Sequence, residues 1–389
     1  MTDEFDDSFS ETDAFDTAPL RVTVDLGALA DNWRDMARRS GKARASAVVK
    51  ADAYGMGIED CGATLYRAGA RDFFVATVAE GATLRPHAPE ARIFVLSGIW
   101  PAQESQVFGN DLVPVIASEE QLSFWMRTLA ERGDHPFALH IDTGFNRLGL
   151  PLEDALFLAD DTTRPASFDP VLVLSHLACA DTPSSPMNKA QLESFRQVSA
   201  AFEGIESSLS ASAGIFLGPD YHFDLTRPGI ALYGAEAVND MANPMRPVAK
   251  AEARIIQIRD AGEGQTVSYG GTFILKRASR LAVASVGYAD GYHRSLSGSG
   301  IPLREMGYGG AYGFINGYEV PVAGRVTMDL TIFDVTDVPV NAIRAGDYIE
   351  LFGPNVPVDE VARAAGTIGY EMLTGLGLRY ERQYLIEDE

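Results

Sequence analysis

The sequence predicts an α/β protein: a (β/α)8 barrel followed by a mainly β C-terminal domain. Three observations carry that expectation. Short apolar segments alternate with helically spaced ones from about residue 21 to residue 245, the pattern of a parallel sheet. From about Val248 the texture changes to short apolar runs broken by Gly, Asp and Pro. The length, 389 residues, accommodates two domains with substantial cores.

Taken in order, residues 21–25 alternate like a strand, and residues 26–39 space Leu29, Trp33 and Met36 as a helix does. Residues 43–49 read as a strand, 58–68 as a helix, and 73–76 and 93–96 as strands. Residues 112–116 and 137–141 continue the strands, with a helix over 119–131 between them; strand 170–175 and helix 189–202 come next. The last cues of this region fall in 214–235. The number of units favours a closed barrel over an open sheet, and in a barrel the strand tips at Lys50, Arg147 and His176 and the loop at Ser212 converge on one face. Beyond Val248, strands are expected at 253–258, 281–285, 319–323, 331–335 and 348–351, with one helix over 358–365. The glycine-rich stretch 296–316 fits either a mobile insert or a packed irregular loop.

Lys and Arg total 32 against 54 for Asp and Glu, a formal charge of −22, so nucleic acid is not an expected partner. Cys61 and Cys179 are the only cysteines; a single bridge between them is formally open, but a disulfide framework or a multi-cysteine metal site is not, and no metal is expected. Residues 1–20 are acidic and lack the basic start and apolar core of a signal peptide, which predicts a disordered tail and a cytoplasmic location. No apolar run is long enough to cross a bilayer.

The stretch of greatest chemical interest is Ala47-Val48-Val49-Lys50-Ala51-Asp52-Ala53-Tyr54-Gly55, where an apolar strand runs into an ammonium group and then into small residues. An ordinary solvated lysine at a strand end is the bland reading. A lysine in apolar surroundings instead favours the neutral amine, the nucleophile of a Schiff base, and pyridoxal phosphate needs such a lysine, a phosphate cradle and a partner for its ring nitrogen. This stretch, together with residues 141–149 (IDTGFNRLG), 227–234 (RPGIALYG), 286–291 (VGYADG) and 367–371 (TIGYE), resembles the bacterial alanine racemase family of fold-type III pyridoxal-phosphate enzymes.

The resemblance implies racemisation of L-alanine to D-alanine for peptidoglycan, with Lys50 and Tyr269 as the two bases and Tyr269 supplied by the partner subunit of a homodimer. It implies that residues 21–25 form a strand joining the C-terminal domain, so that the barrel spans 26–245 and the second domain 246–389. Tyr54, Ser212, Gly229, Ile230 and Tyr370 occupy its phosphate-contact positions. Arg227 corresponds to the arginine facing the pyridine nitrogen, where a fixed cation disfavours ring protonation, and His176 to a histidine packed beside the cofactor and linked to that arginine. Arg147 and the Met328 N–H fall to the substrate carboxylate; Asp181, Tyr288, Arg325 and Ile368 line the entry passage. Read singly, each is ordinary: a core histidine, a packing tyrosine, a gap-filling methionine.

Three positions depart from the family pattern. His140 stands where many members carry a lysine that becomes carbamylated, which predicts that chloride takes the carbamate's place beside Arg147. Met56 replaces a histidine and Ala211 an asparagine. A broader-specificity amino-acid racemase, a fold-type III decarboxylase and a non-enzymatic cofactor-binding protein are the competing readings; Arg147 and Tyr269 argue against the second, and the complete C-terminal domain against the third.

Overall fold

The structure, a computed structural model, describes residues 11–386. The chain forms two compact units: one is Leu26–Arg246, and the other joins the N-terminal segment, up to Asp25, to the chain from Pro247 onward.

In the first unit the parallel strands Ala47–Val48, Asp72–Val75, Arg92–Val95, Leu112–Ile116, Ala138–Asp142, Leu172–Leu174 and Glu206–Ser208 pair in succession. Leu225–Thr226 pairs in parallel with Arg44–Ala45, which continues into Ala47–Val48 across Ser46. Asp224 N–H donates to the Ser207 carbonyl (3.0 Å) and Arg227 N–H to that of Ser210 (2.8 Å), tying the seventh position to the eighth and closing the barrel. Asp72–Val75 and Leu112–Ile116 are buried at every residue, as strands covered on both faces must be. Phe74 and Phe94 stack at 4.7 Å between ring centroids in this core. Three helices, Val78–Leu84, Glu104–Gly109 and Leu152–Asp160, were not separable from loop by periodicity, because six to nine residues give barely two turns.

One end of the barrel is closed by charge. The Asp72 carboxylate accepts from Arg92 Nε (2.6 Å) and Arg44 Nε (3.3 Å), while Glu206 Oε2 accepts from Nη2 of both arginines (2.8 and 2.9 Å). Three strands and the first barrel segment are thereby stitched across the floor.

The second unit is mainly β. The long strand Ala249–Ala261 pairs antiparallel with Leu20–Asp25, Tyr348–Phe352 and Ser279–Ala284, with a register shift between Ile255 and Gln257. Leu20–Asp25 also pairs in parallel with Tyr380–Leu385, so the N-terminal strand begins at Leu20. The tail expected over residues 1–20 needs correction within the described part: Glu11–Thr17 form a helix, while residues 1–10 lie outside the described residues. The cause is an aromatic and cationic anchor: Phe15 is buried, Arg21 lies 3.7 Å from the Tyr348 ring centroid and 5.3 Å from that of Phe15, and Tyr348 Oη donates to the Ala18 carbonyl (2.6 Å).

Within the glycine-rich stretch, Pro302–Glu305 is a short helix and Tyr312–Ile315 a strand paired with Tyr318–Pro321. Arg304 holds the loop by donating to the Ser297 and Ala364 carbonyls, so the packed reading describes it. Both cysteines are free thiols, and no described helix is long and apolar enough to cross a membrane.

Burial alone would raise the Glu206 carboxyl, but hydrogen bonds from Arg44 and Arg92 outweigh it and hold the group below its ordinary value of 4.5. A depressed acid stabilises the fold above its unfolded value and loses that contribution as pH falls through the folded one. Glu206→Gln should therefore lower stability by about 1 kcal/mol or less at neutral pH, given its partial exposure. Urea midpoints should show that difference at pH 7 and lose it progressively as pH falls through the folded value; a difference that stays constant on acidification would contradict the assignment.

Candidate active site

Lys50 stands where the first barrel strand ends, and the chain beyond it is not a loop. Ala51, Asp52, Ala53 and Tyr54 all have φ between 51 and 56°, a left-handed helical turn built from non-glycine residues. Each such residue costs about 1–2 kcal/mol against the right-handed form, so surrounding contacts must over-determine it. They do: Ala51 N–H donates to Glu80 Oε1 (2.8 Å), Ala53 N–H to the Val49 carbonyl (2.9 Å), and Asp52 Oδ1 accepts from Ile58 N–H (2.8 Å). Glu80 also accepts from Ala76 N–H (2.7 Å) and completes a capping box with Thr77, binding the turn to the next strand-helix junction. Sequence reasoning missed Glu80; the Thr-x-x-Glu spacing at 77–80 was the available signal.

Beside this turn lies a ring of small groups. Ser212 Oγ accepts from Gly229 N–H (2.8 Å) and Ala231 N–H (3.3 Å), and Tyr54 stacks on Tyr233 at 4.5 Å. A Cβ at Gly229 would lie 2.5 Å from the Tyr54 hydroxyl, so a larger residue there would displace the phenol. Tyr54, Ser212, Gly229 and Ile230 are thus adjacent, and a hydroxyl, a phenol and backbone N–H groups suit a phosphate without needing a cation. Tyr233, whose hydroxyl donates to the Val48 carbonyl (3.0 Å), supports the cradle and was read only as part of its motif.

Three cations and two histidines share the barrel mouth. Desolvation, then the Arg147 and Arg227 charges, push the Lys50 ammonium below its ordinary value, with Glu80 opposing. Arg227 is buried, which lowers it to about 10, so it keeps its charge at neutral pH. Its guanidinium donates to the Ser208 hydroxyl and the Ser175 carbonyl (2.5 Å each) and to the Leu209 carbonyl (3.3 Å). The expected link from His176 to this arginine needs correction: the arginine reaches the backbone one residue earlier, and the His176 carbonyl is held by Gln191 Nε2 (2.9 Å). Burial, then Arg227 and Arg147, push the His176 ring well below its ordinary value. The same forces bring His140 to about 4, so both imidazoles are neutral at neutral pH. His140 Nδ1 is buried without a hydrogen-bond partner among the described residues. Arg147 is exposed and stacks 4.1 Å from the Phe145 ring centroid. Asp181 is at the surface of the same unit, accepting from Asn239 Nδ2 (3.1 Å).

The β unit has its own cluster. Tyr269, Tyr288, Arg294, Arg325 and the segment Val326–Leu330 line a cavity of about 430 Å3. Tyr269 is 72% exposed on a short turn anchored by Ser268 Oγ donating to the Arg325 carbonyl (2.7 Å). Ile368 and Tyr370 begin the helix Gly369–Thr374 and are not among the residues lining that cavity. Arg294, which does line it, was not singled out from the sequence.

A closed α/β barrel with a desolvated lysine beside an N–H and hydroxyl cradle, joined to a β-rich unit, defines the fold-type III class of pyridoxal-phosphate enzymes. Residues 24–237 match the model of the alanine racemase N-terminal domain and residues 248–384 that of the C-terminal domain. The chain belongs to the alanine racemase family. It is 88% identical, over 100% of both chains, to a biosynthetic alanine racemase of Agrobacterium fabrum. It is 63% identical to an alanine racemase of Rhizobium meliloti, over 95% of this chain and 98% of the relative. The crystal structure of alanine racemase from Bartonella henselae with covalently bound pyridoxal phosphate superposes with a TM-score of 0.86 at 35% identity, covering 95% of this chain and 100% of that one.

Removing the Glu80 carboxylate should expose what holds the left-handed turn. Glu80→Ala strands the Ala51 and Ala76 N–H groups and should cost about 1–3 kcal/mol in urea unfolding. It also removes the one charge that favours the Lys50 ammonium, so the pH at which Lys50 becomes reactive toward an amine label should fall. An unchanged labelling profile would show that Glu80 does not act on Lys50.

Proposed function

We propose that this protein interconverts L- and D-alanine with pyridoxal phosphate held on Lys50, supplying D-alanine for peptidoglycan from the cytoplasm. The observation that carries the reading is the desolvated Lys50 amine placed between two arginines and next to the Ser212–Gly229 cradle. When bound, the cofactor supplies the electron sink that makes the Cα–H of an amino acid acidic.

The chain's own residues do the rest. Tyr54, Ser212 and the Ile230 N–H would hold the phosphate, joined by the Gly229 N–H once it turns from the Ser212 hydroxyl, with the Tyr370 phenol as a further contact. Arg227, fixed by three oxygens and cationic at neutral pH, would face the ring nitrogen and disfavour its protonation. A weaker sink restrains competing reactions and leaves proton return at Cα as the main outcome. His176, neutral, would pack beside the ring without adding charge. Arg147 can present a planar fork to the substrate carboxylate by leaving the Phe145 face, and the Met328 N–H would add a second donor. Asp181, Tyr288, Arg325 and Ile368 would screen entry.

Two acid–base groups on opposite faces of Cα achieve inversion directly. Lys50 Nζ takes the proton on one, its lowered affinity for protons keeping the amine neutral at a lower pH. Tyr269 Oη serves the other. Its exposure on its own unit supports a role completed by a second subunit, so that the working enzyme is a homodimer with each site made from two chains.

Borohydride treatment of the cofactor-loaded protein should leave one reduced adduct, found by peptide mass on Lys50. Tyr269→Phe should keep the cofactor absorption and lose about 10²–10⁴-fold in turnover in both directions. Mixed dimers of Lys50→Ala and Tyr269→Phe should recover activity through one intact site; verified heterodimers without activity would refute a shared site. Chiral separation of products from a panel of L-amino acids should give D-alanine alone, whereas several D-products would favour the broad-specificity reading.

A further inference from the structure

The segment just before the last strand carries a guanidinium that belongs to neither the cradle nor the proton-transfer pair. Arg379 Nε lies 2.6 Å from Asp290 Oδ1, and its Nη1 donates to Asp329 Oδ1 (2.8 Å). The two carboxylates belong to different loops. Asp290 is buried and its Oδ2 accepts from Gly287 N–H (2.9 Å), closing the turn that displays Tyr288. Asp329 comes directly after Met328. The loops are also pressed together: Tyr288 N–H donates to the Thr327 carbonyl (3.0 Å), Ala289 N–H donates to the Met328 carbonyl (3.1 Å), and a Cβ on Gly287 would lie 2.2 Å from that same oxygen. Both loops line the cavity that contains Tyr269.

The Asp329 half of this bridge is exposed and contributes little to stability, whereas the Asp290 half is buried. What the bridge does is fix geometry: the planar guanidinium donates one aligned hydrogen bond to Asp329 and sets its charge 2.6 Å from the buried Asp290 carboxylate, tying two loops at a defined spacing, which an ammonium on a flexible stem does not do. The Met328 carbonyl is engaged by this clamp and its N–H is left free of any acceptor among the described residues.

We propose that Arg379 is a positioning residue for substrate recognition: by bridging Asp290 and Asp329 it sets the aim of the Met328 N–H and of the Tyr288 side chain. The proposal rests on the reading that the Met328 amide receives the substrate carboxylate. Losing the bridge leaves the proton-transfer groups untouched and lets the two loops drift apart, so binding suffers more than turnover.

The test uses the cofactor-loaded enzyme. Arg379→Gln should raise the KM for alanine about tenfold, as for loss of one aligned donor, with kcat within about threefold of wild type. The cofactor absorption should be unchanged. Arg379→Lys should not rescue KM, Asp329→Asn should raise it by less, and the Arg379→Gln/Asp329→Asn pair should be no worse than Arg379→Gln alone. Amide exchange should quicken at 287–291 and 326–330 but not in the barrel strand 112–116. A wild-type KM, a fall in kcat alone, or unchanged exchange at both loops would overturn the proposal. Should Arg379→Gln fail to fold, Asp329→Asn decides by the same readings at 326–330, unchanged KM and exchange again overturning it. A wild-type enzyme that does not racemise alanine would sink the functional reading, whereas the exchange measurement would still decide the clamp.

Discussion

The whole arrangement depends on taking one ammonium group out of water. Burial and two neighbouring guanidinium groups weaken the hold of Lys50 on its proton, and the Glu80 carboxylate restores it only in part. Such a site is unfavourable for the free chain, so the fold must enforce it. Enforcement comes from the backbone: the left-handed turn after Lys50 stores strain over four residues and is pinned by Glu80, Asp52 and the Val49 carbonyl. The barrel makes this tolerable by fixing the neighbouring strand ends through a dense parallel core and an ionic floor at its opposite rim.

Charge is divided according to what can move. Arg227 is immobilised by three oxygens and buried, a permanent field source; Arg147 is exposed and rests on an aromatic face. His140 and His176, lying in the field of both, stay neutral at neutral pH. In the β unit the corresponding task is geometric. Gly287 allows two loops to touch, and Arg379 ties their carboxylates, leaving one amide free.

Much of this was legible in the sequence because it is written in local pattern. Most barrel strands are short runs with apolar centres, such as Asp72–Val75 and Leu112–Ile116, whereas Glu206–Ser208 has no apolar residue to mark it; the helix at Ile58–Ala68 has clear apolar spacing and a glycine stop at Gly69. Short helices lacked enough turns to register, and the strand Tyr380–Leu385 alternates too weakly, with only Tyr380 fully buried. The left-handed turn was not legible, since Ala51, Asp52 and Ala53 are not residues that announce positive φ; their conformation is imposed by Glu80, distant by nearly thirty positions. The His176–Arg227 link failed for a related reason: a family motif places residues near one another, but the donor geometry of a guanidinium selects the Ser175 carbonyl. The N-terminal helix was hidden because its anchor, Tyr348, comes more than three hundred residues later.

The central claim is that two groups on opposite faces handle the Cα proton, one of them the desolvated lysine. Isotope transfer tests it directly. In deuterium oxide, at low conversion of L-alanine, the account predicts D-alanine carrying one deuterium at Cα while the remaining L-alanine stays largely unlabelled. The proton removed by one base equilibrates with solvent, and the other base delivers a deuteron. D-alanine that retains the substrate's own hydrogen would contradict the account, because it would mean a single group carries the same proton from one face to the other.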